Sequence, residues 1–188
     1  INDVLNLEVT GYSVTYSDKI ESVPTGNLLP MPNGNSLIEM TNRNENSMQL
    51  YGIESSVDFK FTPQVRAGLI FNYTYGDLKE RNGRVSPVDR IPPGNGRAYV
   101  RYEVLDGLDL GIQTRFALKH RRLADSELQD FRISNDGTDG FMIFQLVSNW
   151  QVTDNSEIHF FADNLLDSAY REHSSSLDGL GRNVTVRY

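Results

Sequence analysis

Apolar and polar side chains alternate along eight segments of the chain, the pattern of β-strands whose two faces meet different surroundings. The last segment runs to the final residue, Tyr188, which shares a face with Val184 and Val186. The pattern predicts an all-β fold, an antiparallel meander of about eight strands. The predicted strands are residues 5–15, 51–61, 65–75, 97–104, 108–118, 144–152, 158–164 and 181–188.

The connections between these segments differ in length. Three are tight turns rich in Pro, Gly, Asp and Asn: Thr62-Pro63, Leu105-Asp106-Gly107 and Thr153-Asp154-Asn155. The others are long polar stretches, predicted as loops at residues 17–48, 76–96, 119–140 and 166–180. Short turns at one end and long loops at the other are typical of transmembrane β-barrels, with the turns periplasmic and the loops extracellular.

Composition excludes several classes of protein. Only 38% of the 188 residues are hydrophobic, and no apolar run is long enough for a membrane-spanning helix. The absence of cysteine excludes a disulfide scaffold and a thiolate metal site. A net charge of -7 argues against a nucleic-acid partner. The sequence also holds no Gly-x-Ser-x-Gly, His-Glu-x-x-His or phosphate-binding glycine motif, so we predict that it is not an enzyme.

If the predicted strands line a transmembrane barrel, their apolar rows face lipid and their polar rows face a water-filled lumen. The predicted lumen-facing residues are Arg66, Arg97, Tyr99, Arg101, Glu103, Gln113, Arg115 and His159. Glycines on these rows, Gly52, Gly68 and Gly111, would leave space in the lumen or bend the strands.

Several short strings at strand boundaries resemble the C-terminal part of the barrel of TonB-dependent outer-membrane receptors. Their order and spacing carry the resemblance, which covers nearly the whole chain. The strings are Tyr51-Gly52-Ile53-Glu54, Arg90-Ile91-Pro92-Pro93 with Gly96-Arg97, Asp163-Asn164-Leu165-Leu166-Asp167 with Tyr170, and Gly181-Arg182-Asn183 before the terminal aromatic residue.

The resemblance implies that residues 1–188 form an open arc of a larger barrel, without the plug domain and the first strands. The intact receptor would lie in the bacterial outer membrane, contact its lipid, and take up a ferric siderophore, haem, cobalamin or another metal chelate. Energy would come from a coupling protein of the inner membrane, which engages the plug. The chain begins at Ile1 without a recognisable leader, so we expect a mature or partial chain. No cofactor is implied.

Two of the predicted extracellular loops carry the candidate ligand-binding residues. Arginines there could bind an anionic chelate. The candidates are His120, Arg121, Arg122, Tyr170, Arg171, Glu172 and His173. The histidines are far apart in sequence and show no close ligand spacing, so no metal site is predicted. We expect that replacing Arg121 and Arg122 together weakens ligand binding by the intact receptor.

Two other interpretations fit the alternation. A self-contained eight-stranded outer-membrane barrel with a structural or adhesive role requires pairing between the strands of Leu5 and Val184. A soluble ligand-binding β-barrel requires that a different set of side chains faces inward: Leu69, Phe71, Leu110 and Ile112. A receptor arc predicts two unpaired outer strands.

Overall fold

The computed structural model describes residues 4–32 and 34–188, apart from the side chains of residues 19, 21, 23 and 43–45. It contains nine strands and one short helix in those residues. These are β1 (Leu5–Pro30), β2 (Ser36–Lys60), β3 (Val65–Lys79), β4 (Val85–Pro87), β5 (Asn95–Leu105), β6 (Leu108–Ala117), α1 (Asp125–Leu128), β7 (Phe141–Thr153), β8 (Ser156–Asp163) and β9 (Asn183–Arg187). No helix in the described residues has the length and apolarity needed to cross a bilayer.

Eight of these strands form one antiparallel meander in the order β1-β2-β3-β5-β6-β7-β8-β9, and the short β4 pairs with β3. In the described part of the chain, β1 pairs only with β2 and β9 pairs only with β8. The sheet is therefore open. The predicted all-β meander and open arc are confirmed, and the alternative of a barrel closed by pairing of β1 with β9 is wrong.

The register aligns one apolar row across all eight strands of the meander. Each member lies opposite the next: Leu5, Phe59, Ala67, Val100, Ile112, Leu146, Ala162 and Val184. Several of these side chains are more than half exposed, including Leu5 at 56%, Ile112 at 57% and Val184 at 59%. The row is apolar throughout and largely exposed, with Ala162 its one buried member. Such a row is typical of the lipid-facing surface of a membrane barrel.

The adjacent row, on the opposite face, is polar and hydrogen-bonded. Tyr99 donates to Asp58, Gln113 Nε2 donates to Gln145 Oε1 at 2.9 Å, and Gln145 Nε2 donates to Asp163 Oδ1 at 2.7 Å. Because these bonds join side chains of neighbouring strands, they fix the lateral register as well as satisfying the polar groups.

The predicted tight turns are confirmed. Leu105 pairs with Leu108 across Asp106-Gly107, and Gly107 has φ +78°, a conformation that favours glycine. Thr153 pairs with Ser156 across another two-residue turn. Between β2 and β3, the hydroxyl of Thr62 accepts hydrogen bonds from the backbone N–H groups of Gln64 and Val65. All three turns lie at one end of the sheet.

The prediction that residues 17–48 form a loop is wrong. β1 and β2 continue through this stretch as a paired hairpin, with register shifts between Tyr16 and Ile20 and between Pro24 and Leu28, as far as the pair Pro30 and Ser36. Part of the predicted loop 76–96 is also strand, since β3 extends to Lys79 and pairs with β4. Backbone pairing alone supports such extensions where both faces are in water, so strict alternation of side chains is not required.

Two of the three glycines on the polar rows are covered by tyrosines of the chain itself. A Cβ on Gly68 would lie 2.5 Å from Tyr99 Cζ, and one on Gly52 would lie 2.6 Å from the Tyr12 hydroxyl. The Tyr12 hydroxyl also lies 2.5 Å from Thr74 Oγ1. The space at these glycines is therefore occupied by rings from a neighbouring strand. Such close approach explains why glycine is needed there.

Most of the core lies at the loop end of the sheet. The β4–β5, β6–β7 and β8–β9 connections fold together there, and they contribute most of the buried apolar side chains of the described residues. Those side chains are Val88, Ile91, Leu123, Ala124 and Ile133, joined by Ala117, Ile143 and Ala162 of the strands. This packed assembly of three loops, which we call the loop cap, positions the candidate site.

Candidate functional site

The strand register places the predicted lumen residues on one face. Arg66 lies opposite Arg101, and Arg97 lies opposite Arg115. The same alternation puts Tyr99, Glu103, Gln113 and His159 on that face, which is the polar face. Like charges directly across a strand pair repel one another, so a dry setting would disfavour these two arginine pairs. Water or an anionic partner on this face would favour them; that the face is a lumen stays a prediction.

At the loop end, Arg115 joins this polar face to the β8–β9 connection. Its guanidinium donates to the Tyr170 hydroxyl at 2.9 Å and forms an ion pair with Glu172. It also lies over the rings of Phe141 and Tyr170, 5.4 and 5.3 Å from their centroids. Both residues are predicted as ligand-binding; Glu172 instead neutralises an arginine of the polar face, and Tyr170 positions it.

A second cluster brings together three residues from two loops, and we call His120, Glu127 and His173 the His–Glu cluster. Glu127 Oε1 lies 2.8 Å from His173 Nε2, and the two imidazole ring centroids are 4.4 Å apart. The side chains of His173 and Glu127 are only 2% and 3% exposed. The structure thus brings together two histidines that the sequence places far apart.

Glu127 is also a junction of the loop cap. Its carboxylate accepts hydrogen bonds from the backbone N–H of Ala124, at 2.7 Å within its own loop, and from that of Arg90, at 2.9 Å in the β4–β5 connection. With His173, it links all three connections of the loop cap. Because burial removes a carboxylate from water, its charge is stabilised only if hydrogen bonds like these replace those to solvent.

These surroundings shift the ionisation of two members of the cluster. Burial lowers the pKa of His120 below its usual 6.5, and the neighbouring His173 lowers it further. For Glu127, burial is the largest influence and would raise the pKa. The hydrogen bonds from Ala124, Arg90 and His173 outweigh it and hold the pKa below its usual 4.5. Near neutral pH the cluster therefore holds a carboxylate beside the neutral imidazole of His120.

The three loop arginines predicted to bind ligand have different surroundings. The Arg122 side chain is held by contacts within the protein. It donates to the Gly76 carbonyl at 2.5 Å and pairs with Asp77. Its guanidinium carbon lies 3.9 Å from the centroid of the Tyr75 ring. Arg171 pairs with Asp178 at 2.7 Å. Arg121 is exposed, and among the described residues its side chain forms no hydrogen bond or ion pair. Arg121 is therefore the most available of the three.

A groove of about 360 Å³ separates the β6–β7 and β8–β9 loops. Both walls carry charged side chains, so the groove suits a polar or charged molecule rather than an apolar one. The lining includes Arg132, Thr138, Asp139, Tyr170, Arg171, Glu172 and Asp178.

Sequence reasoning missed Glu127 and Thr138. Glu127 closes the first turn of α1, but the N-cap is Ala124, so the usual signature of Ser or Thr three residues before Glu is absent. Thr138 lies 2.8 Å from His173 Nδ1 through its hydroxyl, and no sequence pattern indicates this contact. Only the folded loops show these partners.

The family model described as "TonB dependent receptor-like, beta-barrel" matches residues 2–165. The chain belongs to this family. Proteins of the family are outer-membrane β-barrels, and the resemblance predicted from the sequence is confirmed. The family and the solved structures named below are receptors and transporters, so the prediction that the chain is not an enzyme is also confirmed.

Solved structures of TonB-dependent receptors share the fold of the chain. The copper transporter OprC superposes with a TM-score of 0.73 at 20% identity, covering 98% of this chain and 28% of that one. The FrpB iron transporter from Neisseria meningitidis gives 0.73 at 14% identity, with 99% and 29% covered. The siderophore receptor PiuA from Acinetobacter baumannii gives 0.66 at 14% identity, with 99% and 26% covered. No curated protein sequence matches the chain.

The chain thus spans less than a third of the length of these receptors. An open sheet is the expected form of such a portion, because the remaining strands of a complete barrel would pair with β1 and β9.

Proposed function

We propose that the chain is the C-terminal portion of the barrel of an outer-membrane receptor that takes up a scarce ligand. The ligand class would be a metal complex, such as a ferric siderophore, haem or cobalamin. Membership of the TonB-dependent receptor family is the observation that carries this proposal. The names of the similar structures, which are copper, iron and siderophore transporters or receptors, support a metal-containing ligand.

In this proposal the apolar row from Leu5 to Val184 contacts outer-membrane lipid, and the polar face lines the lumen. The plug domain would occupy the lumen, and through it an energy-coupling protein of the inner membrane would act. The loop cap would lie on the extracellular side. The exposed apolar row and the division into short turns and long loops both support this orientation.

The proposed route for the ligand begins at the loop cap and continues at the loop end of the polar face. Arg121 is exposed at the cap and Arg97 is exposed at the loop end of the polar face, whereas neighbouring Arg115 is already paired with Glu172. Exposed guanidinium groups suit carboxylate, catecholate or phosphate groups of a metal chelate, because they bind planar anions with two parallel hydrogen bonds. An anionic chelate is therefore the ligand that we favour.

Replacement of single arginines in the complete receptor tests this route. We expect Arg121→Glu to weaken binding of an anionic ferric chelate at least about tenfold, because it reverses a charge that is free to contact the ligand. Binding would be measured by quenching of intrinsic fluorescence with a panel of ferric catecholates and ferric hydroxamates. Arg187→Glu, at the turn end of β9, is the matched control and should bind as the unmodified receptor does.

The result that contradicts the route is equal binding of every chelate by the Arg121→Glu and Arg187→Glu receptors. The paired replacement of Arg121 and Arg122 is less informative, since Arg122 holds the loop to Gly76 and Asp77. Loss of binding in that variant would combine an electrostatic effect with a loosened loop cap.

A further inference from the structure

The His–Glu cluster brings together three side chains that can ligate a metal ion. Its three ligand atoms, one from each side chain, all lie within 4.8 Å of one another. A tetrahedral zinc ion with bonds of about 2.0–2.2 Å holds its ligands roughly 3.3–3.5 Å apart. Rotations of the three side chains, moving their ligand atoms by about an ångström, would close this difference.

The ligand types select the kind of metal. Two imidazoles and one carboxylate form a nitrogen-rich donor set, which suits Zn²⁺, Cu²⁺ or Ni²⁺ and disfavours the oxygen-seeking Ca²⁺ and Mg²⁺. Three protein ligands with a fourth position open to water are common for zinc. Burial of His173 and Glu127 shields such an ion from competing solvent.

Neighbouring groups already position the ligands as outer partners do in metal sites. Thr138 Oγ1 lies 2.8 Å from His173 Nδ1, and it can accept a hydrogen bond from Nδ1–H when Nε2 binds the metal. The backbone N–H groups of Ala124 and Arg90 hold the Glu127 carboxylate in place.

We propose that His120, Glu127 and His173 bind one divalent transition-metal ion, best Zn²⁺, which ties the β6–β7 loop to the β8–β9 loop. The ion would be a permanently bound structural metal of the loop cap rather than the transported ligand. It would replace the hydrogen bond between His173 Nε2 and Glu127 Oε1. The proposal does not depend on the uptake function.

Metal binding requires one change in the imidazole of His173. To donate a hydrogen bond to Glu127, Nε2 must carry a hydrogen. To bind the metal, Nε2 must release that proton to solvent, and Nδ1 must take one up and donate a hydrogen bond to Thr138 Oγ1. The ion brings positive charge into the buried site. The Glu127 carboxylate offsets part of that charge.

Zinc titration of the detergent-solubilised complete receptor, stripped of metal with EDTA, tests the proposal. Bound Zn²⁺ would be quantified by elemental analysis after gel filtration, and affinity by calorimetry. We expect one Zn²⁺ to be lost, or its affinity to fall by about 10–100-fold or more, in His120→Ala, His173→Ala and Glu127→Gln. Thr138→Val, which removes only the outer partner, should lower the affinity by about 10–100-fold.

His159 provides the matched control, because it is a histidine of the same chain that lies on β8, outside the loop cap. His159→Ala should bind Zn²⁺ as the unmodified receptor does. Equal zinc binding by the unmodified receptor and by a His120→Ala/His173→Ala double variant would overturn the proposal. So would an unmodified receptor that binds no zinc, since the cluster would then be only a buried hydrogen-bonded pair.

Cobalt substitution gives a measurement that does not rely on variants folding. Co²⁺ added to the unmodified, metal-free receptor should produce the intense visible absorption of a tetrahedral site with nitrogen and oxygen ligands. Added Zn²⁺ should displace it, and hydrogen exchange in residues 119–140 and 166–180 should slow when metal is bound. A weak octahedral spectrum, unchanged by Zn²⁺, would contradict the proposal.

Discussion

At the scale of the residue, the polar face depends on close contacts between glycines and tyrosine rings. Gly68 lies directly across from Tyr99, whose hydroxyl donates to Asp58, and Asp58 also pairs with Arg66 at 3.2 Å. The absence of a side chain at Gly68 lets the ring lie against the strand. One glycine therefore determines the position of a tyrosine and, through it, of two charged groups.

Gly68→Val should destabilise the protein through this contact. The new Cβ would lie 2.5 Å from Tyr99 Cζ, so the ring must move and lose its bond to Asp58. We expect the free energy of unfolding to fall by about 1–3 kcal/mol, as measured by urea unfolding of the complete receptor in detergent.

Gly11→Val is the matched control for that experiment. Gly11 also lies within a strand, and a Cβ there would meet no heavy atom within 4 Å. We expect its effect to be small, and the β-branched valine suits a strand. If both variants unfold at the same urea concentration, the close contact at Gly68 does not limit stability.

At the scale of the element, the β8–β9 connection is organised by buried Asn164. Asn164 is 0% exposed and has φ +49°. Its side chain donates to the carbonyls of Ser168 and Leu180 and accepts from the backbone N–H of Ser168. At the far end of the connection, Arg182 N–H donates to Asp167 Oδ1 at 2.8 Å. These bonds hold the strand ends together and present Tyr170 and His173 to their partners.

Asn164→Ala should loosen this connection selectively. The change leaves buried backbone groups without partners, at a cost of about 1–3 kcal/mol, and alanine tolerates the positive φ less well than asparagine. We expect faster trypsin cleavage after Arg171, detected by mass spectrometry. Asn155→Ala, a change in an exposed turn, is the control and should be cleaved after Arg171 at the rate of the unmodified protein. Equal rates of cleavage after Arg171 in the two variants would contradict the role of Asn164 in this connection.

The strands that sequence could predict are those with different surroundings on their two faces. Alternation located all eight strands of the meander, and Asp106-Gly107 located a two-residue turn. The outer parts of β1 and β2 were missed because their pairing uses backbone bonds, with shifts in register, and places no constraint on the side-chain pattern. Pro24 and Pro30, which usually argue against a strand, lie within this extended hairpin.

The candidate site was predictable only in its residue types. Loop position and chemistry suggested His120 and His173, but their contact arises from folding of two loops that are far apart in sequence. Glu127 had no signature, because its N-cap partner is alanine. Arg121 and Arg122 are adjacent in sequence, yet only the structure shows that Arg122 is bound to Gly76 and Asp77.

At the scale of the whole molecule, the open sheet accounts for the most features together. The apolar row crosses all eight meander strands, and the polar rows lie on the opposite face. β1 and β9 each have one neighbour within the described residues. A complete barrel that includes this arc would supply partners for both edges and solvent for the arginines between them.

Cysteine cross-linking in the outer membrane tests this account most directly, because the chain has no cysteine of its own. Asn6→Cys in β1 and Thr185→Cys in β9 would form the test pair, and Phe161→Cys with Thr185→Cys, which are register partners, the control. If the sheet is open, an efficient disulfide forms in the control pair and none forms between β1 and β9 of the same chain. A disulfide between positions 6 and 185 as efficient as the control would mean that the chain closes on itself, and would contradict the account.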